Sequence, residues 1–341
     1  MSWAWRGHPW TRIFFTSVKP TERTDGNPVP GSQGSGTQAR RSTPLLYDNG
    51  ARRGTVPLQQ VDRIVMRGRA TVTTGALGLL AEAGVALLVL SGRQGRSAAI
   101  LQGRLQADVH RRIAQYGWYA DHSARIDWAR RLVAFKLRAQ RGFMQKLIHA
   151  RPDQRAVLQA TTRQIKDAIA GLAGVTAADL TLPRLNGIEG AAAAAYFAAF
   201  TQVFPPSLHF TGRNRRPPRD PVNAALSLGY TLLHFEAVQA CYLNGLDPYV
   251  GFYHEPAHRR ESLAADLIEP LRVHIDRWVW RLFADRDLRA EDFVQDNGAC
   301  LLKKEGRALF YARYETMAPP LRRLLRRYGL VVVRRLLTSA P

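Results

Sequence analysis

The chain is poor in cysteine. Only two cysteines occur among 341 residues, Cys241 and Cys300, and they lie far apart without a Cys-x-x-Cys spacing. This scarcity argues against a disulfide scaffold and against a structural zinc site. It is typical of a protein that works in a reducing cytoplasm, and we expect a cytoplasmic location.

Long apolar runs are also absent from the sequence. The longest candidate, GALGLLAEAGVALLVL at residues 75–90, is broken by Glu82, whereas a membrane-spanning helix needs roughly 18 or more apolar residues. The N-terminal MSWAWRGHPWTRIFF lacks the apolar core of a secretory signal. We therefore expect no membrane partner.

Acidic residues are scarce relative to basic ones. The chain has 49 Lys and Arg against 27 Asp and Glu, a formal net charge of +22. An excess of this size favours a polyanionic partner such as nucleic acid. The basic residues cluster in 104–151, in RNRRPPR at 213–219 and in LRRLLRRYGLVVVRR at 321–335. Such runs are either solvated faces or phosphate contacts. The candidate DNA contacts are Arg213, Arg215, Arg216, Arg219, Arg322, Arg323, Arg326 and Arg327.

Composition and periodicity predict an α+β chain with a small N-terminal β-rich domain followed by a larger all-α domain. Residues 1–43 are an atypical extension or a long-loop hairpin with a flexible Gly/Ser/Pro linker. Residues 44–102 form the β-rich domain, and residues 103–341 form the helical domain. The predicted strands are TPLLYD, RIVMRG, ATVTT and VALLVLS, with a helix over GALGLLAEAG.

Helical spacing dominates after the β-rich domain. Asp220 followed by Pro221 is a good start signal, because the aspartate can accept amide hydrogen bonds and proline suits the first helical position. Gly245 is placed to end that helix. The predicted helices cover residues 104–119, 122–150, 153–173, 187–204, 220–245, 262–284 and 318–337.

The stretch HEPAHRRESLAADLIE, residues 254–269, places three candidate metal ligands close together. Ser262 can cap the helix SLAADLIE, and Asp266 and Glu269 then lie on one face of it. The loop can bring His254 back to this face, and Pro270 predicts a kink beside the acids. The alternative is that the acids favour the helix dipole and that the histidine is a surface residue.

A second candidate segment is RLNGIEGAAAAAYFAAF at residues 184–200. Its alanines permit close packing, so we expect a buried helix. Glu189 is its only acid, and a buried carboxylate normally needs a cation or a hydrogen-bond donor. The alternative is that Glu189 caps the helix or pairs with Arg184.

These segments carry a resemblance to a known family. The chain contains the segments PPRDPVNAALSLGYTLLHFEAVQACYLNGLDPYVGFYHEPAHRRESLAADLIEPLR, NGIEGAAAAAYF and VPLQQVDRIVMRGRATVTTGALGLLAEAGVALLVLSGRQGR. They resemble the CRISPR-associated spacer integrase, which inserts foreign DNA fragments into CRISPR arrays. The resemblance covers most of residues 45–335, and its motifs are specific in combination.

The resemblance implies that Glu189, His254 and Glu269 hold one divalent ion, with Asp266 as a further ligand or a partner behind the ligands. Two carboxylates and one imidazole suit Mn²⁺ or Mg²⁺. His258 is the nearest rival to His254, but the family match falls on His254. Asn223 and Tyr230 also match recurrent family positions, for which buried polar packing is an equal explanation.

The resemblance further implies a prokaryotic enzyme, a metal-dependent DNA endonuclease and integrase. It joins 3′-hydroxyl ends of foreign fragments to the CRISPR repeat by transesterification. Its implied partners are double-stranded DNA, a second copy in a homodimer, a small ferredoxin-like subunit and, in some members, a reverse transcriptase. The atypical first 40 or so residues put the usual dimer geometry in doubt. A non-catalytic nucleic-acid-binding subunit and a metal-dependent repair nuclease are the alternatives.

Overall fold

A computed structural model describes residues 12–16, 45–48, 51–55, 58, 63–67, 72–91, 96–101, 108–175, 180–214 and 217–338. It divides into two compact units, residues 1–105 and residues 106–341. The first unit carries the principal sheet and the second is mostly helical, so the α+β prediction is confirmed.

The first unit is built on a four-stranded sheet. Its strands are β1 (Arg12–Thr16), β4 (Arg63–Arg67), β5 (Ala86–Ser91) and β6 (Arg96–Leu101), in that spatial order. Only β4 and β5 run parallel, and α1 (Thr74–Glu82) connects them. Strands β2 (Leu45–Asp48) and β3 (Ala51–Thr55) form a separate antiparallel hairpin. The buried core comprises Leu58, Ile64, Met66, Leu80, Val85 and Leu87.

The predicted strand ATVTT is wrong for residues 72–74, and residues 70 and 71 lie outside the described residues. Thr73 is instead the N-cap of α1, and its hydroxyl accepts a hydrogen bond from the Ala76 amide at 3.2 Å. Threonine suits both strands and helix caps, so composition alone misassigned it. Strand β1 lies within residues 1–43, and it pairs with β4 in the four-stranded sheet.

The second unit contains helices α2 (Val109–Ala120), α3 (His122–Ala150), α4 (Arg155–Gly174), α5 (Leu182–Thr201) and α6 (Pro221–Leu243). These are followed by α7 (Ser262–Ile268), a 3-10 turn (Glu269–Leu271) and α8 (Arg272–Ala284). The hairpin β7 (Phe293–Asp296) and β8 (Ala299–Leu302) precedes α9 (Lys304–Thr338). Periodicity missed this hairpin and the first turns of α9.

Helix α3 is the long central element of the second unit. Asp121 caps it by accepting a hydrogen bond from the Ala124 amide at 3.1 Å. Its apolar residues recur at helical spacing and are buried against α4, α5 and α8. No described helix is both long and apolar enough to cross a membrane.

Two local signals in the sequence are confirmed. Asp220 accepts a hydrogen bond from the Asn223 amide at 2.8 Å, and α6 starts at Pro221 as predicted. The predicted helix over 262–284 is interrupted beside Pro270, where the backbone tightens into the 3-10 turn. Proline has no amide hydrogen to donate to the carbonyl of Asp266, so the break follows from the sequence.

Candidate metal and active site

Asp266 organises the loop that presents His254. Its Oδ2 accepts hydrogen bonds from the amides of Phe252 at 2.7 Å and Tyr253 at 3.0 Å. Its Oδ1 accepts from the His254 amide at 3.0 Å and lies 2.7 Å from His254 Nδ1. Because Nδ1 is engaged, Nε2 is the ring nitrogen left for the site, and it lies 3.9 Å from Glu269 Oε1.

The loop reaches this position through close backbone packing. A Cβ atom at Gly251 would lie 2.7 Å from the Ser262 carbonyl carbon and 2.9 Å from the Leu263 amide. Ser262 does not cap α7, contrary to prediction. Its hydroxyl donates to the Glu255 carbonyl at 3.0 Å, because the loop supplies an acceptor within reach. His258 is exposed, whereas His254 is partly buried.

Glu269 lies in the 3-10 turn directly after α7 and is buried. Its Oε1 lies 2.9 Å from Arg272 Nε, and its Oε2 lies 2.6 Å from Lys136 Nζ. Burial opposes ionisation, but these two cations outweigh it and lower the pKa of Glu269 to about 2. Glu269 is therefore a carboxylate at neutral pH.

Glu189 lies on α5 and faces the same point from another direction. Its Oε1 contacts the Lys136 ammonium, which is thus shared with Glu269. The expectation that α5 is buried holds for only one face of the helix. Ala191, Ala194 and Ala198 are exposed, and the Glu189 side chain is 20% exposed. Alanine is small enough for either environment, so alanine content did not decide burial.

Lys136 was not identified from sequence as a site residue. It belongs to the basic run 104–151, and the structure places its ammonium between two candidate ligands. A signal was present: its neighbours one helical turn away, Val133 and Gln140, are on the buried face of α3. A lysine on such a face needs an anionic partner.

The donor set fits a hard divalent cation. Glu189 and Glu269 direct carboxylate oxygens at one cation position, and the free imidazole nitrogen of His254 lies beside Glu269. Glu269 Oε2 is buried and makes no hydrogen bond of regular geometry. Within the described ranges, no three His, Cys, Asp or Glu residues already form a metal-binding group.

A buried polar cluster lies behind the ligands. Asp276 accepts hydrogen bonds from the hydroxyls of Tyr196, at 2.7 Å, and of Tyr230. Burial raises the pKa of Asp276 to about 6, against the lowering effect of these bonds and of nearby arginines. The Arg272 guanidinium lies 5.0 Å from the centre of the Tyr230 ring and also pairs with Glu269. Tyr230 is therefore linked to the site through Arg272.

Asn223 has a different role. Its side chain donates to the Gly212 carbonyl at 2.7 Å and to Asp220 at 2.6 Å, and its Oδ1 accepts from Arg213 at 2.7 Å. These bonds fasten the loop before α6. Buried polar packing accounts for Asn223, whereas Tyr230 is linked to the site through Arg272.

Seven of the eight candidate DNA contacts fall into three groups. Arg219 is exposed, and so are the α9 residues Arg323, Arg326 and Arg327. Arg213 is partly buried and lies 5.4 Å from the centre of the Tyr230 ring. Arg215 and Arg216 lie outside the described residues.

Arg322 requires a correction. It is only 7% exposed and pairs with Glu236 at 2.9 Å and Glu315 at 2.6 Å. Arg322 is therefore not placed to contact DNA, because both carboxylates already neutralise it inside the helical unit. Arg322 lies on the side of α9 that packs against α6, whereas Arg323 faces solvent.

Comparison with known proteins identifies the family. The family model of CRISPR associated protein Cas1 matches residues 32–316. The CRISPR-associated endonuclease Cas1 1 of Thermodesulfovibrio yellowstonii is 38% identical over 272 residues, covering 79% of this chain and 84% of the relative.

Solved structures share the fold at lower identity. A casposase bound to integration product superposes with a TM-score of 0.68 at 20% identity, covering 97% of this chain and 88% of that one. A chain of a Cas6-RT-Cas1–Cas2 complex superposes with a TM-score of 0.72 at 22% identity, covering 88% of this chain and 33% of that one. Together with the match to the family model, these similarities show that the chain belongs to the Cas1 family of CRISPR-associated proteins.

Proposed function

We propose that this protein is a divalent-metal-dependent DNA integrase and endonuclease of CRISPR adaptation. It joins the 3′-hydroxyl ends of foreign DNA fragments to a phosphodiester of the CRISPR repeat. The observation that carries the proposal is the convergence of Glu189 and Glu269 on one cation position, with the free Nε2 of His254 beside Glu269.

The reaction exchanges one phosphodiester for another, so the chain needs no nucleotide to drive it. A bound Mn²⁺ or Mg²⁺ would lower the pKa of the attacking hydroxyl and neutralise charge on the phosphate. With water in place of the hydroxyl, the same site would hydrolyse DNA.

The protein's own residues prepare this site. Asp266 holds His254 through both the backbone and Nδ1, and Nε2 is thereby left as the ring nitrogen that would bind the metal ion. Arg272 keeps Glu269 ionised in a buried position. Glu189 contributes the second carboxylate from α5, a helix that lies far from α7 in the sequence.

DNA affinity would come mainly from arginine–phosphate contacts, for which the net charge of +22 and the exposed arginines of α9 are the support. We propose that the protein acts as a homodimer and binds a small ferredoxin-like subunit, with reverse transcriptase as a further partner. The structural likeness to a chain of a Cas6-RT-Cas1–Cas2 complex supports Cas2 and a reverse transcriptase as partners.

The test is a strand-transfer assay with a short DNA duplex and a repeat-bearing plasmid, in Mn²⁺ and in EDTA. Wild type should join the fragment in Mn²⁺ only. Glu189→Gln, His254→Ala and Glu269→Gln should each lose at least about 100-fold in rate, because each removes a ligand. DNA binding, measured in parallel, should persist.

His234→Ala is the matched control, because His234 also pairs with a glutamate, Glu261 at 3.2 Å, outside the candidate site. It should retain strand transfer. Near-normal joining by Glu189→Gln or His254→Ala would contradict the assignment. Cleavage of branched DNA without joining to the repeat would instead favour a repair nuclease.

A further inference from the structure

We propose that the Lys136 ammonium is an internal counterion that occupies the divalent-ion position in the metal-free protein and withdraws when the ion binds. This inference rests on the proposed function, since the ligands concerned are those of the proposed metal site. Lys136, a residue of α3, would then control the affinity of the site for the metal ion.

The geometry places Lys136 between the two carboxylates. Its Nζ lies 2.6 Å from Glu269 Oε2 and contacts Glu189 Oε1. The lysine comes from α3, Glu189 from α5 and Glu269 from the turn after α7. One ammonium thus joins three separate segments of the helical unit at the point where the carboxylates converge.

The charges around Glu269 explain why the lysine can leave. Glu269 has a second cation, Arg272, which is partly buried and paired with its other oxygen at 2.9 Å. Arg272 would therefore still offset part of the Glu269 charge after Lys136 withdraws. A divalent ion would replace the lysine between the carboxylates with a larger charge.

The chemistry of lysine suits such an exchange. An ammonium is a compact point charge on a flexible four-carbon stem, whereas a guanidinium is a rigid planar fork. The Lys136 side chain is 12% exposed, so it already reaches the protein surface.

Two opposite effects should follow from removing this charge. The metal-free protein should become less stable, because Glu189 and Glu269 would face each other without the shared cation. Divalent ions should bind more tightly, because they would no longer compete with a positive charge at the same position.

The experiment measures Mn²⁺ binding to metal-free protein by the electron paramagnetic resonance of free Mn²⁺. Lys136→Met should tighten binding by at least about tenfold, since it removes a like charge within a few ångströms of the ion. Its melting temperature without metal should fall by about 4 °C. Lys136→Arg keeps the charge and should bind no more tightly than wild type.

Lys146→Met is the matched control, because it removes the same charge from an exposed position on the same helix. It should leave Mn²⁺ affinity within about twofold, since exposed charges are strongly screened. Circular dichroism checks folding, and Lys136→Gln serves as a second variant if Lys136→Met does not fold. Unchanged or weaker Mn²⁺ binding by the folded Lys136 variants would overturn the inference.

Glu189→Gln separates this failure from failure of the proposed function. If Glu189→Gln abolishes Mn²⁺ binding while Lys136→Met leaves it unchanged, the metal site stands and the counterion role is wrong. If Glu189→Gln binds Mn²⁺ like wild type, the ion is held elsewhere, and both proposals fail.

Discussion

Asp266 holds His254 at two points, its backbone amide at 3.0 Å and its ring nitrogen Nδ1 at 2.7 Å. One carboxylate oxygen makes both contacts, while the other accepts the amides of Phe252 and Tyr253. Asp266 is fully buried. The residue therefore sets both the path of the loop and the orientation of the imidazole, so its role extends beyond binding an ion.

We expect Asp266→Asn to weaken the fold as well as the site. The amide side chain keeps one acceptor oxygen, and its NH₂ group would face backbone N–H donors. The free energy of unfolding should fall by about 2–5 kcal/mol, the range for losing charge-assisted bonds and leaving buried donors unpaired. Urea unfolding measures this, with exposed Asp285→Asn as the control. A loss of activity at unchanged stability would mean that Asp266 acts only on the metal.

We expect neighbouring arginines of α9 to behave in opposite ways. Arg322→Met removes one partner of buried Glu236 and should destabilise the protein by about 3–5 kcal/mol. Arg323→Met affects an exposed residue and should change stability by less than about 0.5 kcal/mol. Thermal unfolding by circular dichroism compares the two. Equal melting temperatures would show that the Arg322 pairs contribute little.

Asp276 should make stability depend on pH. Its pKa is about 6 in the folded protein against 3.8 ordinarily, so the folded state favours the protonated acid. Its contribution is complete below about pH 4 and is lost as the pH rises through about 6, amounting to about 3 kcal/mol at most. Asp276→Asn should flatten the stability profile between pH 4 and 6. Urea unfolding between pH 4 and 6 tests this prediction. If the free energy of unfolding of the variant changes with pH as steeply as that of the wild type, the prediction is contradicted.

DNA binding should depend steeply on salt. With about 6–10 phosphate contacts, affinity should fall about 10³–10⁵-fold between 50 and 200 mM salt. Replacing exposed Arg323, Arg326 and Arg327 by alanine should lower the slope of log K against log salt by about 1 for each true contact. Fluorescence anisotropy with a labelled duplex measures the slope. A triple variant with the wild-type slope would remove α9 from the DNA surface.

The bounds of several elements were predictable because their causes are local. Helix α3 matches its predicted range, residues 122–150, because apolar residues recur on one face for its whole length. The cap at Asp220 and the break at Pro270 depend on atoms within four residues along the chain. The basic excess is likewise a property of composition alone.

The missed elements have identifiable causes. Helix α9 continues through Pro319 and Pro320, although a proline pair normally marks a helix start. Packing of α9 against α6 and α2 offsets that cost. The hairpin of β7 and β8 has only four residues in each strand, which is too short for period-two alternation to stand out.

The sequence by itself determined which residue types were candidates, the order in which Glu189, His254 and Glu269 occur, and the resemblance that joins them. Only the tertiary structure decided which charged residues pair with each other. Lys136 lies 53 residues before Glu189, and Arg322 lies 86 residues after Glu236, so no local spacing connects either pair. Both basic residues belong to runs that composition assigns to DNA. Folding buries one as a structural ion pair and places the other between two carboxylates, because burial makes an unpaired charge costly.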